Sequence, residues 1–237
     1  MKKFILFIIF ISCSFVLPFY FHTEIYRFYL KFYYSHRYQG NEYMDKARKL
    51  YDEGKYTELV DFAGPLLYVY MDNNELKRLT GMGMIRLGEE FAGAELYTAG
   101  MENGKYNEFE AARVIKILFY SEVYGDVLYY YERGILRKNM DISYYYGVSL
   151  LRAGRIDEAY EMLMNAKKNG FSDTQMLYYQ IGLVLEKKKK FRESAEYLVQ
   201  AYNRGPANYE LINTLVRVYS ALGMYEQAGA LLRSKKK

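Results

Sequence analysis

Two histidines, His22 and His36, and one cysteine, Cys13, are the side chains best suited to act as base, nucleophile or soft metal ligand in this 237-residue chain. Both histidines fall in a single aromatic stretch and Cys13 sits inside an apolar run, so they form neither a paired-histidine metal motif nor a cysteine-based zinc site, and no disulfide closes within one chain. The acidic pairs Glu89-Glu90 and Asp157-Glu158 stand where helices are expected to begin, and there negative charge complements the helix dipole. There is no glycine-rich phosphate loop and no G-x-S-x-G elbow. The sequence therefore reads as non-enzymatic, with no catalytic residue, cofactor or metal expected. The lysine runs 187–190 and 235–237 hold much of the net charge of +5 and read as a solvated turn and a loose end.

The elements that carry these side chains belong to a folded chain, since the composition is 51% hydrophobic and 26% charged. Three prolines and no Pro/Ser/Gly-rich linker predict one continuous structure after the N-terminus. The 29 tyrosines suit half-buried positions between packed helices, with an apolar body and a polar tip.

Met1-Lys2-Lys3 precedes an apolar stretch from Phe4 to Phe21, interrupted only by Ser12, Ser14 and Pro18. At 1.5 Å per residue this run covers roughly 27 Å, enough for a bilayer core. Three readings stay open for residues 1–21. The first is a retained anchor, with Tyr20, Tyr26, Tyr29, Phe32, Tyr33 and Tyr34 as an aromatic belt at the interface. The second is a cleaved signal peptide with small residues at Ser12-Cys13-Ser14. In the third, Phe10-Ile11-Ser12-Cys13 resembles a bacterial lipobox and Cys13 is lipidated. Lys2 and Lys3 favour a cytoplasmic N-terminus, whereas Arg27, Lys31 and Arg37 load the other flank. The expectation is export, with the remainder extracytoplasmic (periplasmic in a bacterium). Residues 22–39 read as one aromatic juxtamembrane helix that doubles as a cap.

A fixed period organises the rest. The segment Gly147-Val148-Ser149-Leu150-Leu151-Arg152-Ala153-Gly154-Arg155-Ile156-Asp157-Glu158-Ala159 has counterparts in Gly182-Leu183-Val184-Leu185 with Phe191 to Ser194, and in Val216 to Tyr219, Gly223 and Tyr225 to Ala228. In the other direction Gly81 to Met84, Gly88 and Gly93 fill the same places, as do Ala47, Leu50, Gly54 and Leu59. Apolar residues recur at spacings of three and four within each half-unit, as amphipathic helices require. Gly54, Gly88, Gly154 and Gly223 fall at helix ends, and Asn73, Ser172 and Asn208 at helix starts.

This pattern resembles the tetratricopeptide repeat (TPR). Unit 140–173 supplies the family's small residues as Gly147, Ala159 and Ala166; unit 175–208 supplies Gly182, Ser194 and Ala201. Units 40–73, 74–107, 107–139 and 209–237 match less closely, and in 107–139 Ser121-Glu122 replaces the usual glycine. The resemblance implies an all-α, right-handed superhelical solenoid of about five to six helical hairpins. It places Gly147 against Ala159 within one hairpin. It also implies a concave groove lined by the first helix of each unit, which here gives Met44, Arg48, Arg78, Met82, Arg86, Lys116, Tyr144, Val148, Arg152, Tyr179, Leu183, Lys187 and Arg217.

Bases interleaved with tyrosine and methionine in that groove suit an acidic, partly apolar peptide or helix. The expected function is a protein-binding scaffold in a membrane-associated, extracytoplasmic assembly, held at the membrane through residues 4–21. The alternative is a basic helical-repeat protein binding nucleic acid in the cytoplasm. At the far end Leu231 and Leu232 have no polar capping helix after them, an end where another copy could oligomerise.

Overall fold

The computed structural model describes residues 19–38, 40–101, 106–134, 142–206 and 208–234. Residues 4–18 of the apolar run, with Cys13, and Lys235 to Lys237 lie outside these, and so does the choice between anchor, signal peptide and lipidation. Among the described residues no helix is long and apolar enough to cross a membrane.

The described residues form thirteen α-helices and no strand. After α1 (Phe19–Arg37) come α2 (Glu42–Asp52) and α3 (Tyr56–Val69), α4 (Asn74–Arg86) and α5 (Glu90–Ala99), and α6 (Glu108–Tyr120) and α7 (Tyr124–Glu132). Then follow α8 (Ile142–Arg152) and α9 (Ile156–Lys168), α10 (Thr174–Lys187) and α11 (Phe191–Arg204), and α12 (Tyr209–Ala221) and α13 (Tyr225–Ser234). They make two compact units, one ending at Glu110 and the other beginning at Ala111.

Each pair is joined by the same turn. The residue two before the second helix takes a left-handed conformation, and the next N–H donates back to a carbonyl five residues earlier: Glu89 to Met84 at 3.0 Å, Arg155 to Leu150 at 2.9 Å and Met224 to Tyr219 at 2.9 Å. Glycine usually fills the left-handed position, but in two turns Glu122 (φ 63°) and Lys189 (φ 58°) do. The degenerate stretch Ser121-Glu122 therefore keeps the turn while losing the residue that makes it easy. Helix starts are capped by Asn73 and Asn208, whose side chains accept from Leu76 N and Leu211 N at 2.9 Å. Before α10 the cap is Asp173, accepting from Met176 N at 3.1 Å, and not Ser172 as the sequence reading has it. A carboxylate one residue on reaches the free N–H groups with a full charge.

Within a hairpin the helices touch at small residues. A Cβ on Gly81 would stand 2.6 Å from the Gly93 carbonyl oxygen and 2.7 Å from Tyr97 N. In α10–α11 the Ser194 hydroxyl donates to the Gly182 carbonyl at 2.8 Å, so a small polar residue both permits the approach and bonds across it. In α8–α9 a Cβ on Gly147 would stand 3.0 Å from the Leu163 side chain, one turn beyond Ala159. In the first unit α1 packs on α3, with Leu30 buried and Tyr38 edge-on to Phe62 at 5.6 Å. Around them Tyr43, Ala47, Leu59, Ala63, Leu66 and Leu76 form a core, and Tyr179, Leu198, Leu211, Leu215 and Val218 form one in the second unit.

Two substitutions should move stability in opposite directions. Gly81→Ala drives a methyl into rigid backbone and should cost about 1–3 kcal/mol. Lys189→Gly relieves a left-handed lysine, worth about 1–2 kcal/mol, against a chain-entropy cost of about 0.5–1 kcal/mol, and should stabilise modestly. Denaturant midpoints check both; a neutral Gly81→Ala would mean the α4–α5 contact is looser than described.

Candidate functional site

In the second unit, three successive first helices line one concave pocket of about 830 Å³. Leu151 and Arg152 come from the end of α8, Tyr179, Leu183, Glu186 and Lys187 from α10, and Tyr209, Glu210, Asn213, Thr214 and Arg217 from α12. The periodicity of the repeat explains the convergence. Residues at the same place in consecutive first helices stack into rows, so the fold turns a repeat of about 34 residues into a surface.

Of the residues the sequence assigns to a groove, Arg152, Tyr179, Leu183, Lys187 and Arg217 come together here. The others have different surroundings. Met44, Met82 and Val148 are buried between helices and their side chains serve packing. Tyr144 is buried too, stacked on Phe171 with ring centroids 4.2 Å apart, and burial pushes its phenol pKa up. Lys116 lies over the Tyr145 ring at 5.6 Å. In the first unit Arg78 donates to the Gly100 carbonyl, and Arg86 is exposed at the end of α4.

Two of the predicted bases are held by carboxylates on neighbouring first helices. Arg217 on α12 grips Glu186 on α10 through two hydrogen bonds of 2.9 Å. Arg48 on α2 grips Glu75 on α4 in the same way, at 2.6 and 2.8 Å, and also reaches Asp45 at 2.9 Å. Paired forks of this kind fix geometry as well as charge. The pocket lining carries Arg152, Lys187 and Arg217 against Glu186 and Glu210, three bases against two acids, so it is far less basic than the row of bases alone indicates. Among the described residues Arg152 and Lys187 make no ion pair; Arg152 rests over the Tyr124 ring at 5.8 Å. Tyr179 forms the floor, its phenol pKa raised by burial.

Glu186, Glu210 and Asn213 are absent from the groove assigned by sequence, which takes bases, tyrosines and apolar residues and no acid or amide. The signal was present, since they stand at the twelfth, second and fifth places of their units, on the same ladder as the residues that were chosen.

No protein-family model matches the chain, and no curated protein sequence matches it. Solved structures do. The protein is similar to YrrB, described as a TPR protein with an unusual peptide-binding site, at 16% identity and a TM-score of 0.56 over 71% of this chain and 87% of that one. It is also similar to PilF of Pseudomonas aeruginosa, at 11% identity and a TM-score of 0.52 over 83% and 90% of the two chains. A chain of the APC/C hetero-tetramer Cut9–Hcn1 matches at 13% identity and a TM-score of 0.50, over 84% of this chain and 39% of that one. The fold is TPR-like. The pocket belongs to the first-helix face of a TPR-like array.

The Arg48–Glu75 pair gives a pH dependence. Hydrogen bonding to Arg48 holds the Glu75 carboxyl below its ordinary value of 4.5. A depressed carboxylate contributes stability that is present above the unfolded pKa and lost as pH falls through the folded one. Both side chains are over a third exposed, so the contribution is screened and should stay below about 1 kcal/mol. Arg48→Met should therefore lower the melting temperature slightly at pH 7, leave it unchanged once the pH is below the folded pKa of Glu75, and so flatten the acid fall; an unchanged acid slope would remove this role for the pair.

Proposed function

We propose that this protein is a non-enzymatic docking scaffold whose second unit captures an acidic, partly apolar peptide or helix of a partner protein. The observation that carries this is the pocket between α8, α10 and α12. It presents apolar side chains (Leu151, Leu183), aromatic rings (Tyr179, Tyr209), amide and hydroxyl groups (Asn213, Thr214) and two bases not engaged in ion pairs among the described residues, Arg152 and Lys187. Apolar surface supplies affinity, and the two bases steer and orient an acidic partner. The peptide-binding site named for YrrB supports a peptide as occupant, and the Cut9–Hcn1 assembly supports a protein partner. A nucleic acid fits less well, because Arg48 and Arg217 already hold carboxylates and a polyphosphate chain in the pocket would meet Glu186 and Glu210.

The scaffold works, in this reading, in a membrane-associated assembly on the extracytoplasmic side, tethered through residues 4–21. Support comes from Lys2-Lys3 followed by that apolar run. Protease added to sealed membrane vesicles of known orientation tests it: cleavage of the repeats only from the cytoplasmic face would overturn the location.

A photo-crosslinker placed at Asn213 in the intact membrane-bound protein should trap the partner, whereas one at Lys168 on α9 should not. With the trapped partner in hand, Arg152→Glu with Lys187→Glu should weaken binding on the order of tenfold or more, with little change in melting temperature. The control is Lys168→Glu with Arg233→Glu, exposed charges on second helices. Lys167 is unsuitable, since its ammonium donates to Tyr197 OH at 3.0 Å and lies over two tyrosine rings. Equal, small effects from the two double variants would remove the pocket as the docking site.

A further inference from the structure

We infer that α1 is a membrane-surface helix, lying along the boundary between phospholipid headgroups and acyl chains with Phe28, Tyr29 and Phe32 turned into the lipid; the inference rests on membrane attachment through residues 4–21. At 100° per residue, Phe28 and Phe32 fall one turn apart on the side of α1 opposite Leu30. Leu30 is 5% exposed, whereas Phe28 is 69%, Phe32 59% and Tyr29 48% exposed. The inward side is committed to the first unit: Tyr26 meets Tyr68 edge-on at 6.2 Å, and Tyr34 stacks towards Tyr38, which meets Phe62. Packing thus fixes which aromatic residues point away from the protein. It differs from a belt ringing an upright helix, because Tyr34 is turned in and Phe28 is turned out.

Two observations name lipid as the occupant. The sequence immediately before α1 is the apolar run 4–18, and Phe28 is only nine residues, roughly 14 Å along a helix, from Phe19. Once that run is in a bilayer, the stripe stands within a helix-length of its surface. Along α1 the charges are Arg27, Lys31 and Arg37 against the single acid Glu24, and Lys31 is exposed beside the stripe, suited to anionic headgroups. Apolar rings on one face with bases at its margin are the composition of an interfacial helix. Such seating would fix the azimuth of the first unit over the membrane, a constraint that a flexible tether alone would not impose.

The chain contains no tryptophan, so a single Phe32→Trp substitution makes a clean reporter in the full-length protein. Reconstituted into phosphatidylcholine–phosphatidylglycerol vesicles, Phe32→Trp should show blue-shifted emission, strong quenching by lipids brominated on the acyl chain near the headgroup, and protection from aqueous iodide. Phe109→Trp, on α6 and 85% exposed, is the aqueous reference. If vesicle flotation succeeds but the Phe32→Trp protein emits as in water and is quenched by iodide, the surface seating is wrong while attachment stands. Blue-shifted emission that is indifferent to brominated lipid means protein covers the stripe, and overturns the proposal equally. Failure to float with vesicles removes the membrane reading and this inference together.

Discussion

Two helices can lie close enough to share a backbone contact only where neither has a side chain in the way, and that constraint governs everything else in this protein. Between α4 and α5, Gly81 and Gly93 bring main chain against main chain. Between α10 and α11, the Leu198 side chain takes the space a Cβ on Gly182 would need, and the Ser194 hydroxyl donates to the Gly182 carbonyl. Close approach here uses one side of each first helix completely. The large apolar residues around it, such as Leu163, Leu185 and Leu198, are then fully buried. What remains of the first helices is the opposite side, and in the second unit that side becomes the pocket.

The same geometry decides how charge is used. Stacked first helices bring neighbouring repeats side by side, so a base in one repeat finds an acid in an adjacent one. Arg217 reaches back to Glu186 on the preceding first helix, and Arg48 reaches forward to Glu75 on the following one. Exposed ion pairs contribute little to stability, and their larger consequence is electrostatic. They cancel much of the positive field that a row of arginines would otherwise project, and leave Arg152 and Lys187 as the pocket's bases without an ion pair among the described residues. In the proposed docking role, a partner would be recognised by a few placed contacts on an apolar floor, with a general attraction to anions mattering less.

Much was legible in the sequence because it is local. A turn's left-handed residue lies a fixed number of residues from the helix end, and glycine marks it at Gly54, Gly88, Gly154 and Gly223; even where Glu122 and Lys189 stand instead, the period locates the turn. Caps were readable to within one residue: Asn73 and Asn208 are caps, while Asp173 takes the role assigned to Ser172. The pocket was legible in part, since Arg152, Tyr179, Leu183, Lys187 and Arg217 share repeat positions that the fold stacks together.

By itself the sequence determined the helices and their pairing, because spacings of three, four and about thirty-four encode these directly; the face on which a groove would open followed from the resemblance to the tetratricopeptide repeat. Only the tertiary structure decided which residues on that face meet solvent and which charges are already matched. Met44, Met82, Tyr144 and Val148 occupy groove positions by count, yet neighbouring helices cover them. Arg48 and Arg217 look free until Glu75 and Glu186, 27 and 31 residues away in the chain, are brought within hydrogen-bonding distance. Burial and charge pairing depend on distances between segments far apart in sequence, and those distances exist only once the hairpins have packed.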